Sequence, residues 1–297
     1  MNHVAHSATF TAPSVSIPSI SSSAMLVELN ISVWTGRKFD KVVSQEIDTA
    51  KQTTTRAGNY HKNLIADEPL FTNIGKFQGN ARTYHYHATM PWSDSGMRLL
   101  TTPMYFDYHK TVSQMEMDFD NLVIMALNDY PNMILRAKHR LGDLFNEHDY
   151  PDVDDLRNKY RFSVKFSPVP TVGDWRVDVG NEAQQVLNES YAEAYSANLT
   201  QAYQDVWTRT HEALLNMSSK LSGNNKQIFR DSLVSNVKDM VDLLDKFNVT
   251  DDPKMKEAKA KIQSALVGIT PDALREDDDL RLDTKSKVDE LLKEFSW

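Results

Sequence analysis

Apolar side chains in the middle of the chain recur at helical spacing. From Tyr108 to Ala126 they are separated alternately by four and three residues, the pattern of a helix that packs along another helix. We therefore predict a helix from about Met104 to Asn128. The sequence Asp129-Tyr130-Pro131 should interrupt it, because proline lacks the amide hydrogen that a helix interior needs. A further helix should then follow from Asn132 to Leu144.

The same spacing recurs twice in the second half of the chain. Leu199 to Met217 and Phe229 to Phe247 each carry it, and Ser222 to Asn225 separates them with a break. We expect these two stretches to form an antiparallel pair of helices within 181–248. Shorter helices should complete 249–297.

Alternating apolar and polar residues predict strands near the N-terminus and in the middle of the chain. Val27 to Trp34 alternates, which indicates an N-terminal strand. Arg161 to Phe166 and Trp175 to Val179 alternate on either side of a loop with two prolines and a glycine, which predicts a β-hairpin over 161–179. A lone hairpin is marginal in water, so it should lie on helices or extend the N-terminal strand.

The predicted fold class is mainly α, with long antiparallel helices in a bundle or coiled-coil-like hairpin, a small β-hairpin and an N-terminal strand. Two shorter helices are expected at Lys38–Lys51 and Phe77–Thr89. Residues 1–24 are rich in Ser and Thr and nearly uncharged, which predicts a flexible tail. The rest divides into a mixed, mostly helical domain at 25–180, the helical hairpin at 181–248 and short helices at 249–297.

Composition narrows the classes of function. The 297 residues carry a net charge of −8 and no cysteine. An acidic chain is poorly suited to non-specific binding of duplex DNA or of anionic membranes. The absence of cysteine removes disulfides, thiolate nucleophiles and Cys-ligated metals. Apolar runs are too short to span a membrane, and the N-terminus lacks the pattern of a signal peptide, so we expect a cytoplasmic protein.

Two histidines form the most compact candidate for a metal site. His85 and His87 lie two residues apart in Thr83-Tyr84-His85-Tyr86-His87. On a strand both would point to one face and could bind one metal ion. On a helix they diverge by about 200°. No acidic residue follows at a ligand-like spacing, so we favour structural or surface histidines and predict no metal and no other cofactor.

The stretch from Pro91 to Leu100 is a candidate binding loop. Trp92 is a large apolar anchor, Asp94 can cap a turn or pair with Arg98, and Gly96 allows a positive φ angle. One interpretation, which we favour, is a structured loop fixed to the core by its tryptophan. The other is a binding surface formed by Trp92, Asp94 and Arg98, which are residue types common in interface hot spots.

The densest basic stretch follows the N-terminal strand. It contains Arg37, Lys38 and Lys41 directly after Trp34, and Arg56, His61 and Lys62 come later. These cations could contact a nucleic-acid backbone while Trp34 stacks on a base. A solvated helix face is the commoner explanation. Nucleic-acid binding gains support if the five Lys and Arg residues share one face of the fold.

Four stretches of the sequence carry a further resemblance. They read NISVWTGRK from Asn30, RTYHYHATMPWSDSGMRLL from Arg82, LGDLFNEHDYP from Leu141 and FSVKFSPVPTVGDWRVD from Phe162. In order and wording they resemble an uncharacterised family of tailed-phage and mobile-element proteins, classed as a domain of unknown function. Its members are often encoded near a MoxR-type AAA+ ATPase and a von Willebrand A-type protein. The resemblance implies a mainly helical, phage-encoded accessory protein and a partner in that ATPase system. It supplies no catalytic residues to carry over to this chain.

Together these features favour a non-enzymatic protein that acts through its helices, by binding the ATPase, another protein or a second copy of itself. The first alternative is a nucleic-acid-binding accessory in phage replication or recombination. The second is a virion component. An enzyme would need a pocket in which His85, His87 and nearby carboxylates meet.

Overall fold

The computed structural model describes residues 20–171, 180–222 and 230–295, and this part of the chain is mainly α-helical with a small antiparallel sheet. The predicted fold class is therefore confirmed. The chain divides into two compact units, one of Met25–Pro168 and one of Met1–Ala24 with Val169–Trp297. None of the described helices is long and apolar enough to cross a membrane.

The unit Met25–Pro168 combines short strands with two long, packed helices. In chain order its elements are β1 Ala24–Ser32, β2 Arg37–Phe39, α1 Lys41–Ala50, β3 His61–Asn63, α2 Pro69–Ala88, β4 Met90–Pro91, β5 Arg98–Thr101, α3 Tyr105–Leu141, α4 Val153–Arg157 and β6 Arg161–Pro168.

The strands of this unit form two sheets. The larger has the order β4-β5-β1-β6, and β2 and β3 form a separate two-stranded ribbon. The predicted N-terminal strand and the strand after Arg161 are both confirmed, and they pair antiparallel with Ile31 opposite Phe162. The second strand of the predicted 161–179 hairpin lies outside the described residues. A short hairpin is present instead at β4 and β5, where Met90 pairs with Leu99.

The core of this unit lies between α2, α3 and the sheet. The apolar residues of α3 that recur every four and three positions from Tyr108 to Ala126 are here called the buried seam. They are buried at Tyr108, Val112, Phe119 and Ala126, and α3 packs on α2. A side-chain amide links α2 to the sheet, because Gln78 Nε2 donates to the Ile31 carbonyl at 3.0 Å. The buried seam of α3 thus packs against other elements of its own unit.

Three helix boundaries differ from the prediction. The helix expected at Lys38–Lys51 begins only at Lys41, because Arg37–Phe39 pairs with β3 as the strand β2. The interruption expected at Asp129-Tyr130-Pro131 is wrong, because α3 continues through Pro131 to Leu141. An interior proline costs a helix about 3 kcal/mol. Burial of a large side chain contributes about 1.5–3 kcal/mol, and Tyr130 and Met133 are both fully buried beside the proline. The helix predicted at Phe77–Thr89 begins earlier, at Pro69, where a proline suits the first helical position.

The second unit is a bundle of helices. Its elements are α5 Asn181–Leu221, α6 Ser232–Phe247, α7 Pro253–Ala265, α8 Pro271–Glu276 and α9 Asp278–Glu294. The two long helices predicted within 181–248 are present as α5 and α6, which pack together, and α5 also packs against α9. Phe229, the first residue of the apolar pattern predicted from Phe229 to Phe247, lies outside the described residues.

The predicted tail is described only from residue 20 onward. Ile20 is buried, and its amide donates to the Tyr195 hydroxyl of α5 at 3.1 Å. Residues 20–24 are therefore anchored, and the rest of the predicted tail lies outside the described residues.

Candidate functional site

The loop around Trp92 is fixed to its own unit. Trp92 is buried. Arg98 Nε donates to Thr89 Oγ1 at 2.7 Å, and Arg98 Nη2 donates to the Thr89 carbonyl at 2.9 Å. Because Thr89 is the C-terminal cap of α2, Arg98 satisfies the end of that helix. Asp94 is exposed, so the three residues of the predicted binding surface have different environments and do not form one open face.

The two histidines of α2 do not share a site. His85 is 3% exposed, and its Nδ1 lies 2.8 Å from the Tyr108 hydroxyl, whereas His87 is exposed. Burial, together with a smaller effect of the Arg98 cation, lowers the pKa of His85 to about 4. Among the described residues, no group of three or more His, Asp and Glu side chains is placed to hold a metal ion.

Lys62 is the middle residue of β3, and its side chain points from the ribbon into the interior of the unit. Its ammonium group is 2.6 Å from Asp149 Oδ2 and 3.2 Å from Asp40 Oδ2, and it donates to the Leu144 carbonyl at 3.1 Å. Burial opposes the charge, but the two carboxylates outweigh it and raise the pKa of Lys62. Lys62 therefore does not share an exposed face with the other four cations of the basic stretch.

Trp34 also lies away from the basic surface. Its ring packs edge-on against Phe71 and against Tyr130, with ring centroids 6.0 Å apart in each case. Stacking of Trp34 on a base, expected from its place in the sequence, is not supported by this position. The ring that is exposed among the cations is Phe39, which is 39% exposed.

Phe39 is surrounded by basic groups on the outer face of the ribbon. It pairs across the strands with His61, and the two ring centroids are 5.6 Å apart. The guanidinium carbon of Arg56 is 5.6 Å from the centre of the Phe39 ring. Arg37 lies two residues before Phe39 on β2 and thus on the same side of the strand. We call Arg37, Phe39, Arg56 and His61 the Phe39 patch.

A second candidate surface, formed by apolar residues, lies on α3. Five large apolar residues on this helix are at least half exposed, Met125 (54%) among them, and the other four lie along one line of the helix: Phe106 (79%), Met117 (54%), Ile124 (51%) and Leu135 (63%). Their separations of 11, 7 and 11 residues bring them within about 20° of one another around the helix. We call these four residues the outer stripe, which extends along about 44 Å of helix.

The outer stripe lies on the opposite side of α3 from the buried seam. At 3.6 residues per turn, Tyr108, Phe119 and Ala126 point roughly 180° away from Phe106 and Ile124. The seam was visible in the sequence because its members recur every three or four residues. The outer stripe was missed because its members are two or three turns apart, with Asp, Asn and Lys between them.

No protein-family model, no curated protein and no solved structure matches this chain. The resemblance to phage and mobile-element proteins thus remains a prediction from four stretches of sequence. Within residues 20–171, 180–222 and 230–295, we infer function from two surfaces, the outer stripe of α3 and the Phe39 patch.

Proposed function

We propose that this chain is a non-enzymatic interaction protein, and that the outer stripe of α3 binds a helix of another protein. The single observation behind this proposal is the alignment of Phe106, Met117, Ile124 and Leu135 on the solvent side of one helix. Single exposed apolar residues are ordinary on protein surfaces. Four on one line over about 44 Å are spaced more widely than the anchors of a helix that fills a groove, so each would contact a docked helix as a separate point along its length.

The size of the stripe indicates what else the partner must offer. Full burial of one large apolar side chain contributes about 1.5–3 kcal/mol, so four half-exposed ones contribute roughly 5 kcal/mol. Association itself costs about 4–15 kcal/mol in lost rigid-body freedom. The stripe alone therefore gives weak binding, and a stable complex needs further contacts beside it.

Charged residues beside the stripe suggest the nature of those contacts. Glu116, Asp118 and Asp120 are exposed around Met117. An amphipathic helix with Lys or Arg next to its apolar face would complement both the stripe and these carboxylates. Near Met117 the partner helix is thus expected to present basic residues, whereas the exposed Lys110 and Lys138 favour acidic residues of the partner near the two ends of the stripe.

The sequence resemblance supplies a candidate partner. Members of the resembled family are often encoded near a MoxR-type AAA+ ATPase, so we propose that this ATPase, in the host cytoplasm, carries the docking helix. A second copy of the chain is another occupant, and its binding would appear as self-association. A virion component is the remaining alternative, and mass spectrometry of purified particles would detect the chain there.

Two methionines of α3 allow a matched test. Met117 belongs to the stripe and Met125 lies about 80° away around the helix, yet both are 54% exposed. Calorimetric titration of the purified chain with the ATPase of the same genome should show binding. Met117→Glu should weaken it at least tenfold, about 1.4 kcal/mol, and Met125→Glu should leave it unchanged. Equal effects of the two substitutions would contradict docking on the stripe, and no binding by the native chain would contradict this choice of partner.

A further inference from the structure

The β2–β3 ribbon separates its side chains into an inner and an outer set. Its cross-strand pairs are Arg37 with Asn63, Lys38 with Lys62 and Phe39 with His61. Successive residues of a strand point to opposite faces. Because Lys62 points inward to Asp40 and Asp149, the neighbouring pair of Phe39 and His61 faces outward.

The outward pair forms a partly open aromatic surface. Phe39 keeps 39% of its surface exposed, although it contacts the His61 ring on one side and the Arg56 guanidinium on another. Because the Arg56 guanidinium lies over the Phe39 ring, a planar ligand would stack on the part of that ring that stays exposed, close to the cation. The patch therefore offers stacking and positive charge at the same point.

The charge around this surface is opposite in sign to that of the whole protein. Residues 35–63 contain six Lys and Arg and three Asp and Glu, a net charge of +3, in a chain with a net charge of −8. Within the described part of the chain, no acidic side chain forms an ion pair with Arg37, Lys38 or Lys41. The Asp40 carboxylate accepts from the amides of Val42 and Val43 and pairs with Lys62.

Lys62 preserves the positive charge of the outer face, because it pairs with two carboxylates on the inner side of the ribbon. It forms these ion pairs with the Asp40 and Asp149 carboxylates. The exposed cations are left to act on a ligand outside the protein. A ligand that matches this face must combine negative charge with an accessible planar ring.

We propose that the Phe39 patch binds single-stranded nucleic acid. An unpaired base stacks on Phe39 beside His61, and Arg37, Arg56 and the neighbouring Lys41 contact the phosphates on either side. A duplex keeps its base faces covered and so cannot use the ring, whereas a single strand can. An acidic peptide could use the cations, but it would leave the aromatic surface without a role.

This proposal is independent of docking on α3. The Phe39 patch and the outer stripe share no residue, so either surface can fail its test without affecting the other. Binding at the patch would add a nucleic-acid contact to a protein that also binds a protein partner.

The test uses fluorescence anisotropy with labelled oligo(dT) and oligo(rU) and the full-length chain at several salt concentrations. We expect binding that weakens as salt increases, because phosphate contacts release counterions. The oligonucleotide that binds more tightly shows whether the natural ligand is DNA or RNA. Phe39→Leu should weaken binding about 5- to 150-fold, the equivalent of one lost stacking contact of about 1–3 kcal/mol. Phe39→Trp, which retains a stacking ring, should preserve binding.

Two charge-reversing variants distinguish a specific contact of Arg37 with the nucleic acid from the effect of the protein's net charge on binding. Arg37→Glu should weaken binding and reduce its dependence on salt, whereas Lys138→Glu, the same kind of change at an exposed position of α3, should have a much smaller effect. Circular dichroism confirms that each variant is folded. The proposal is overturned if neither oligonucleotide binds at low salt, if Phe39→Leu binds as tightly as the native chain, or if polyglutamate competes as well as unlabelled oligonucleotide, which would indicate an acidic-peptide site.

Discussion

Nδ1 of His85 on α2 lies 2.8 Å from the hydroxyl of Tyr108 on α3, and both side chains are buried. The rings of Tyr84 and Tyr108 stack beside them with centroids 5.9 Å apart. Burial lowers the pKa of His85 to about 4, so the imidazole is neutral at neutral pH. The pair therefore joins the two long helices of its unit through a neutral hydrogen bond.

We expect acid to weaken the fold through His85. The unfolded chain binds a proton at His85 below its ordinary pKa of 6.5, whereas the folded chain binds it only near pH 4. Stability is thus fully present above pH 6.5 and is lost as pH falls toward 4, by about 3 kcal/mol. Urea unfolding of the native chain and of His85→Gln should show that the substitution removes most of this slope. His139→Gln, at an exposed position of α3, is the control, and an unchanged slope in His85→Gln would refute the assignment.

The buried ammonium group of Lys62 should be essential for stability. Lys62→Met leaves Asp40 and Asp149 without their cation, and removing one partner of a buried ion pair costs about 3–5 kcal/mol. Lys38 is the cross-strand partner of Lys62 and is exposed. Lys38→Met should change the free energy of unfolding by less than about 0.5 kcal/mol. Similar losses in the two variants, measured by urea unfolding, would show that the ion pairs with Lys62 contribute little.

Substitution of alanine for two glycines should change the free energy of unfolding in opposite directions. Gly36 precedes β2 with φ +61°, and a Cβ atom there would lie 2.5 Å from Cγ1 of Ile65. Gly36→Ala should cost about 2–4 kcal/mol from the left-handed backbone and the clash. Gly75 lies inside α2 with open space around it, so Gly75→Ala should stabilise by about 0.5–1 kcal/mol. Thermal unfolding of both variants measures the difference, and a tolerated Gly36→Ala would contradict the close approach to Ile65.

Patterns that lie within one helix or strand could be predicted from the sequence. The buried seam of α3 and the strand at Arg161 follow from spacing alone, because burial repeats every three or four residues in a helix and every two in a strand. The fold class and the two helices of 181–248 follow from the same patterns.

Features that depend on distant residues could not be predicted in this way. The Pro131 region stays helical with support from Glu68, whose carboxylate accepts from Arg136 Nη2 at 2.6 Å. Lys62 resembles a surface cation until the fold brings Asp149 beside it. Phe39 is a single apolar residue between Lys38 and Asp40, and only the fold places its ring against His61 and Arg56. In each case the deciding partner is far away in the sequence.

The central claim, docking of a protein helix on the outer stripe, is tested most directly by photo-cross-linking at two adjacent positions of α3. Ile124 and Met125 are almost equally exposed, at 51% and 54%, but point about 100° apart around the helix. A benzophenone-bearing amino acid replaces one residue or the other, and the chain is irradiated together with the ATPase. The proposal predicts a discrete cross-linked product from position 124 and little or none from position 125. Equal products from both positions, or none from position 124 under conditions in which the native chain binds the ATPase, would contradict it.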